Sequence, residues 1–217
     1  TNMKKFLLAL TLVLLGWSGN AEAQKKVLYG IGFYNVENLF DTEHDKGKND
    51  KEFLPGGSYG WDEHKYTSKL KNISLVLSEL CTEVAKTKNP AGAAVIGLSE
   101  VENRRVLQDL LKQPSLANRG YEIVHIDGPD RRGVDCAFLY NPKAFKLERT
   151  MLVPYIYRTS AQPNIDLGCY LDEKGRVQAY PHENGKLLGD TTHITRGFLT
   201  MSGWLGGEKF HFIVCHW

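Results

Sequence analysis

Cysteine is sparse in this chain, with four in 217 residues, which excludes a small disulfide-built scaffold. Neither sign of charge prevails: 27 Lys and Arg face 25 Asp and Glu, a formal net charge of +2. Binding nucleic acid through bulk positive charge is therefore excluded, and any polyanion must be held by a local site. Glycine and proline, 21 and 8, are too few and too aperiodic for a collagen-like or linker protein. No apolar run is long enough to cross a bilayer, which takes roughly 20 residues. Against these shortages stand 42% hydrophobic and 24% charged residues, the proportions of a folded chain rather than a disordered one. The length suits one domain.

The longest apolar run, Phe6 to Trp17, sits near the amino terminus behind the basic start Met3-Lys4-Lys5. Ser18-Gly19-Asn20 breaks it, and Ala21-Glu22-Ala23 offers the small-x-small pattern of a cleavage site. This order predicts a signal peptide over residues 1–23, export to the periplasm or medium, and one domain over 24–217. An oxidising compartment would permit disulfides among Cys81, Cys136, Cys169 and Cys215. Cys136 and Cys215, however, lie in apolar strand-like runs that read as buried thiols.

Downstream the pattern alternates. Lys26 to Tyr34, rich in β-branched and aromatic residues, predicts a strand ending at Asn35. Leu70, Ile73, Val76, Leu77, Leu80 and Val84 recur at three- and four-residue steps and predict a helix over 65–86, stopped by Asn89-Pro90. Ala93 to Leu98 reads as a strand buried on both faces. A second helix begins near Asn103. Strands follow over 121–126, 134–140, 145–153, 196–204 and 209–216. Lys174-Gly175, Asn184-Gly185 and Gly206-Gly207 mark hairpin turns. Early alternation followed by hairpins predicts two sheets with helices outside them.

Ligands in layered α/β proteins gather at strand ends. The first strand runs into Asn35, Glu37 and Asn38, the buried one into Ser99, Glu100 and Glu102, and the last into His216. A carboxylate placed directly after a buried strand is costly unless it is paired or binds a cation. Mg²⁺ is typically held by one or two carboxylates, with waters and substrate phosphate completing its shell. Glu100 fits that role, and Asn35 could lend a neutral oxygen or orient a water. Capping competes with it, since acids suit the start of the helix near Asn103; spacing favours capping for Glu102 and leaves Glu100 open. Alternation puts Phe210, Phe212, Val214 and His216 on one face, so His216 emerges at the rim of an apolar layer. There it could touch a phosphate or donate a proton, or serve as an ordinary hydrogen-bonded histidine. Arg131, Arg132 and Arg196 suit bidentate phosphate contact, with a solvated charge as the alternative. Asn72-Ile73-Ser74 matches a glycosylation acceptor but falls inside the first predicted helix.

Five segments together resemble the endonuclease/exonuclease/phosphatase superfamily, in particular its exported bacterial, deoxyribonuclease I-like members. They are Phe33-Tyr34-Asn35-Val36-Glu37-Asn38-Leu39-Phe40-Asp41, Leu98-Ser99-Glu100-Val101-Glu102-Asn103, Asp130-Arg131-Arg132-Gly133-Val134-Asp135, Thr195-Arg196-Gly197 and Cys215-His216-Trp217. The resemblance implies a four-layer α/β/β/α sandwich with two mixed β-sheets and a site at one rim. By it Glu100 would be the metal-binding glutamate, Asn35 the asparagine beside the metal, and Mg²⁺ (or Mn²⁺) the cofactor. Arg196 and His216 would contact the scissile phosphate, and Arg131 and Arg132 a phosphate in the loop.

The family pattern continues with an Asp-x-Asn motif and a closing Asp-His pair that orient and deprotonate the attacking water. No segment here matches either, so the 217 residues are expected to be the amino-terminal portion of a longer product, catalytically incomplete alone. The implied function is a metal-dependent phosphodiester hydrolase, a monomeric nuclease acting on DNA or RNA. The alternatives are a phosphatase or phospholipase-type hydrolase of sugar- or lipid-phosphates, and an exported phosphate-binding module without turnover.

Overall fold

The computed structural model describes residues 27–84, 86–128, 130–156, 169–171, 177–179 and 194–216. The proposed leader, two of the three hairpin turns and Trp217 lie outside the described residues. In chain order the elements are β1 (Gly30–Leu39), a 3-10 turn (Lys51–Phe53), α1 (Glu63–Glu79), β2 (Glu83–Val84), β3 (Thr87–Lys88), β4 (Ala93–Val101) and α2 (Arg104–Leu111). There follow β5 (Glu122–His125), β6 (Asp135–Tyr140), β7 (Phe145–Ile156), β8 (Cys169–Leu171), β9 (Val177–Ala179), β10 (Ile194–Leu205) and β11 (Glu208–Cys215).

The larger strands form two sheets. One has the order β1-β4-β6-β5, with β1 and β4 parallel and the rest antiparallel. The other, β11-β10-β7-β8-β9, is antiparallel throughout. Only the first sheet is therefore mixed. In the second every neighbouring pair runs in opposite directions, as the Gly206-Gly207 hairpin between β10 and β11 requires of those two strands.

Two hydrophobic layers hold these parts together. Tyr66, Leu70, Ile73 and Leu77 of α1 and Val106, Leu107 and Leu110 of α2 pack on Val36, Ile96, Leu98 and Leu139 of the first sheet. On that sheet's other face Val124, Cys136 and Phe138 meet Phe145, Leu199, Met201 and Val214 of the second. Each fully buried Leu or Phe contributes about 1.5–3 kcal/mol over exposure. Three of the four expected layers are thus present among the described residues: helices, mixed sheet, antiparallel sheet.

Several boundaries differ from the sequence expectation. β1 starts later and runs on through Asn35 to Leu39. α1 begins after Asp62, whose carboxylate accepts from the Lys65 amide at 2.9 Å, and ends at Glu79 rather than at 86. Leu80 turns extended and Cys81 enters the left-handed region at φ +60, so the helix cannot continue. Asn89 acts later, its side-chain amide donating to the Cys81 and Gly92 carbonyls and closing the loop around β2 and β3. Among the described residues Cys81, Cys136 and Cys215 form no disulfide, and burial pushes the Cys136 thiol up to about 12.

Candidate active site

Three irregularities in the sheets aim the polar side chains. Asn35 pairs with Ser99 and Leu39 with Val101, so three residues of β1 oppose the single residue Glu100. On the other side Ser99 and Val101 pair with the consecutive residues Cys136 and Asp135, which leaves Glu100 as the extra residue of a bulge. Glu37, Asn38 and Glu100 all take left-handed backbone, at φ +53, +60 and +66. Such conformations cost about 1–3 kcal/mol each for residues with a Cβ and persist only where the surroundings enforce them. In β10, Thr195 and Phe198 pair with Tyr155 and Val153, so Arg196 and Gly197 together oppose one residue, with Gly197 at φ +74. A bulge re-aims a side chain that strict alternation would send elsewhere.

The result is a continuous polar chain at one rim of the two-sheet core. Asn35 Nδ2 donates to Glu100 Oε1 at 3.1 Å, and His216 Nε2 lies 3.0 Å from the same oxygen. The Arg196 guanidinium contacts His216 Nδ1. Arginine can only donate, so His216 Nδ1 accepts and Nε2 carries the hydrogen given to Glu100. Arg196 Nε in turn faces Asp130 Oδ2 at 3.3 Å, an ion pair too poorly aligned to count as a hydrogen bond. The side chains are largely shielded: Glu100 is 16% exposed, His216 23%, Arg196 16% and Asp130 11%. Asn35 Oδ1 accepts from the Glu37 amide at 2.8 Å, which fixes the direction of its side-chain amide.

Four of the six residues singled out in the sequence, Asn35, Glu100, Arg196 and His216, thus come together. The other two do not. Arg131 and Arg132 are exposed on the loop and make no side-chain ion pair among the described residues. Their neighbour Asp130 joins the site instead, because its backbone is tied down. Lys48 Nζ donates to the Gly128 and Asp130 carbonyls and lies 3.2 Å from the Asp127 carboxylate, while the Asn49 amide donates to the Arg131 carbonyl. At the base of the loop the Gly128 amide donates to Asp135 Oδ1, whose other oxygen is 3.3 Å from His125 Nε2. Burial pushes the Asp135 carboxyl up from its ordinary range. Asp130 was missed because an acid beside two arginines reads as their local counter-charge.

The capping expectation also changes. Asn103 caps α2, its side-chain oxygen accepting from the Val106 amide at 3.1 Å. Glu102 is buried on the helix side, where Oε2 accepts from the Asp41 amide at 2.8 Å and Oε1 has no hydrogen-bond partner. Burial pushes its carboxyl up to about 8 against the pull of that amide, and the nearby Asp41, Asp45 and Asp50 add to the rise. Asp41 is neutralised by Arg105, which also pairs with Glu43. Burial lowers Lys69, which sits beside the rim, against the upward pull of Glu37 and Glu100.

A divalent cation fits the donor set. Glu100 supplies one carboxylate, within the one or two that Mg²⁺ commonly uses, while Asn35, with its NH₂ on Glu100 and its oxygen on the Glu37 amide, would hold that carboxylate beside the ion. Among the described residues no group of three or more His, Cys, Asp and Glu could hold a metal, so waters and a substrate phosphate would complete the shell. No helix among the described residues is long and apolar enough to cross a membrane.

Comparison with curated proteins finds no match. Among solved structures the chain is similar to one titled as ANGEL2, a 2',3'-cyclic phosphatase, at 13% identity and a TM-score of 0.34. The match covers 82% of this chain and 37% of that one, so the chain spans little more than a third of its length. The sequence model described as the Endonuclease/Exonuclease/phosphatase family matches residues 30–166, from the first residue of β1 to beyond the end of β7. That stretch carries Asn35, Glu100 and Asp130 and well over half of the sequence, and the chain therefore belongs to the endonuclease/exonuclease/phosphatase family.

Proposed function

We propose that the chain carries the metal- and phosphate-binding rim of an exported, divalent-metal-dependent phosphodiester hydrolase, a nuclease. The observation that carries this reading is the chain Asn35–Glu100–His216–Arg196–Asp130, which joins both sheets at one rim. A cation bound at Glu100 would polarise the phosphate and neutralise charge on the leaving oxygen. Arg196, held by Asp130, turns its guanidinium toward the rim, where it stabilises the equatorial oxygens as charge grows on them. His216 donates from Nε2, and the pairing of Nδ1 with Arg196 fixes that tautomer. Asn35 holds the Glu100 carboxylate in position. The order of features in residues 1–23 supports export.

A second reading, a phosphate-binding module without turnover, draws on one observation. Both carboxylates of the chain already face two donors each, Glu100 the Asn35 amide and His216, Asp130 the Arg132 amide and Arg196, so neither is poised to take a proton from water. Hydrolysis of bis(p-nitrophenyl) phosphate and nicking of supercoiled plasmid, with Mg²⁺ or Mn²⁺ and with chelator, decide between the two. The hydrolase reading expects metal-dependent rates that fall about 100-fold or more in Arg196→Ala and Glu100→Gln. Rates indifferent to chelator, or Glu100→Gln within about twofold of the parent, would defeat it. Metal-dependent phosphate binding without turnover in the full-length gene product, the form in which these assays are run, would establish the module.

A further inference from the structure

A groove of about 420 Å³ runs beside the rim, between the outer edge of β1 and the exposed flank of α1. Tyr34, Trp61, Lys65, Ser68, Lys69 and Asn72 line it. The helical residues among them recur at three- and four-residue steps, so their polar ends share one stripe of α1. Their order along the sequence shows nothing of this; the groove exists because β1 passes under that stripe.

We propose that this groove is a subsite for a second phosphate of the substrate, the one adjacent to the phosphate held at Arg196 and His216. Two cations project into it. Lys69 Nζ donates to the Glu37 carbonyl at 2.6 Å and lies 5.9 Å from the centre of the Trp61 ring; Lys65 Nζ donates to the Tyr59 carbonyl at 2.6 Å. An ammonium has three hydrogens, so each keeps two for an incoming anion. The carbonyl and ring contacts hold the ammonium groups in place before binding, which reduces the side-chain entropy lost when an anion arrives. The Ser68 hydroxyl and Asn72 amide add neutral donors on the same wall. Glu37 is the one acid lining the groove, and it is exposed.

Continuity with the rim completes the argument. Glu37 bonds the Asn35 side chain through its amide and Lys69 through its carbonyl, so the groove and the rim share one residue of backbone. A substrate with phosphates in series could occupy both. The inference takes its substrate from the phosphodiesterase reading, while its geometry stands apart from it.

Calorimetric titration of the Glu100→Gln protein, which prevents turnover, compares d(TpT), with one phosphate, and d(TpTpT), with two. The expected result is tighter binding of the trinucleotide by about tenfold, and loss of that preference in Lys65→Gln/Lys69→Gln, where both side chains are exposed or half-buried and the fold is checked by circular dichroism. Equal affinities within this pair and within the inositol phosphate pair below overturn the proposal, as does a preference that survives the double substitution or a parallel loss of both oligonucleotides. A parallel arm uses inositol 1,4-bisphosphate against the monophosphate. A lysine-dependent preference there, without one for the trinucleotide, keeps the second-phosphate subsite and assigns it to a sugar phosphate. The hydrolase reading stands or falls on the rates of the full-length gene product, and the titration decides the groove apart from them.

Discussion

Glu102 gives the sharpest test of the electrostatics, because its side chain is buried 61 residues away in sequence from the amide it binds. Its carboxyl is pushed from an ordinary 4.5 up to about 8 in the folded chain, so the folded state holds a proton that the unfolded state has released. Stability follows the difference in bound protons, and here the folded state binds more. The contribution is therefore fully present below about pH 4.5 and is lost as the pH rises toward 8. Each unit corresponds to about 1.4 kcal/mol, so the loss across the window approaches about 4 kcal/mol. Glu102→Gln removes the titration, keeps an oxygen for the Asp41 amide, and places an NH₂ among Asp41, Asp45 and Asp50. Urea denaturation followed by far-UV circular dichroism at pH 5, 6, 7 and 8 reads the effect directly. The parent should lose stability steadily over this range while the variant changes little, and at pH 8 the variant should be the more stable by a few kcal/mol. Parallel curves, or a variant weaker than the parent at pH 8, would refute the account of a buried, proton-holding carboxyl.

Three further outcomes are expected. Gly203→Ala should cost about 1–3 kcal/mol by thermal melting, since an added Cβ would lie 2.3 Å from the Lys146 carbonyl and 2.5 Å from the Phe145 ring; an unchanged midpoint would contradict that packing. Asn103→Ala should lower stability by about 1 kcal/mol through loss of the α2 cap, and Asn103→Ser should recover most of it if the hydrogen bond to the Val106 amide is the cause. Cys136, buried and pushed up to about 12, should resist a thiol reagent at pH 8 until the chain is unfolded; fast labelling in native buffer would mean that the sheets do not close over it.

The sequence carried the layers better than their details. The apolar run at 93–98 and residues 212 and 214 of the last strand reappear facing each other across the core, whereas Phe210, which alternation groups with them, stays exposed. The ends of elements were less legible. The apolar period of α1 continues through Leu80 and Val84, yet Cys81 turns left-handed, and nothing in the period signals that turn. The site was legible as residue types at strand ends, because a polar group after a buried strand must have a reason to be there. Its geometry was not, because period-2 alternation has no way to encode an extra residue. The bulge that re-aims Glu100 needs the pairing partners on both flanks before it can be seen. Asp130 depended on the most distant information, a loop held by Lys48 from more than 80 residues away. Arg131 and Arg132, the cations legible in that loop, lie on its exposed side, apart from the chain of contacts at the rim.

The bulges in β1, β4 and β10 also have a bearing on how the chain assembles. A regular strand can slide along its neighbour by two residues and still find a hydrogen bond for every amide, with the same side chains facing the core. An unpaired extra residue removes that freedom, since after a slide the irregularity would meet a straight stretch of partner and leave polar backbone groups stranded. Glu100 is such a residue in the ladder with β6, and the surplus residues of β1 opposite it play that part on the other flank, so β4 is fixed simultaneously against β1 and β6, while Gly197 does the same for β10 against β7. The distortions that orient the rim side chains are thus detents: they leave each of these strands one place to stop, and the chemistry at the rim is assembled by the same click that sets the sheets.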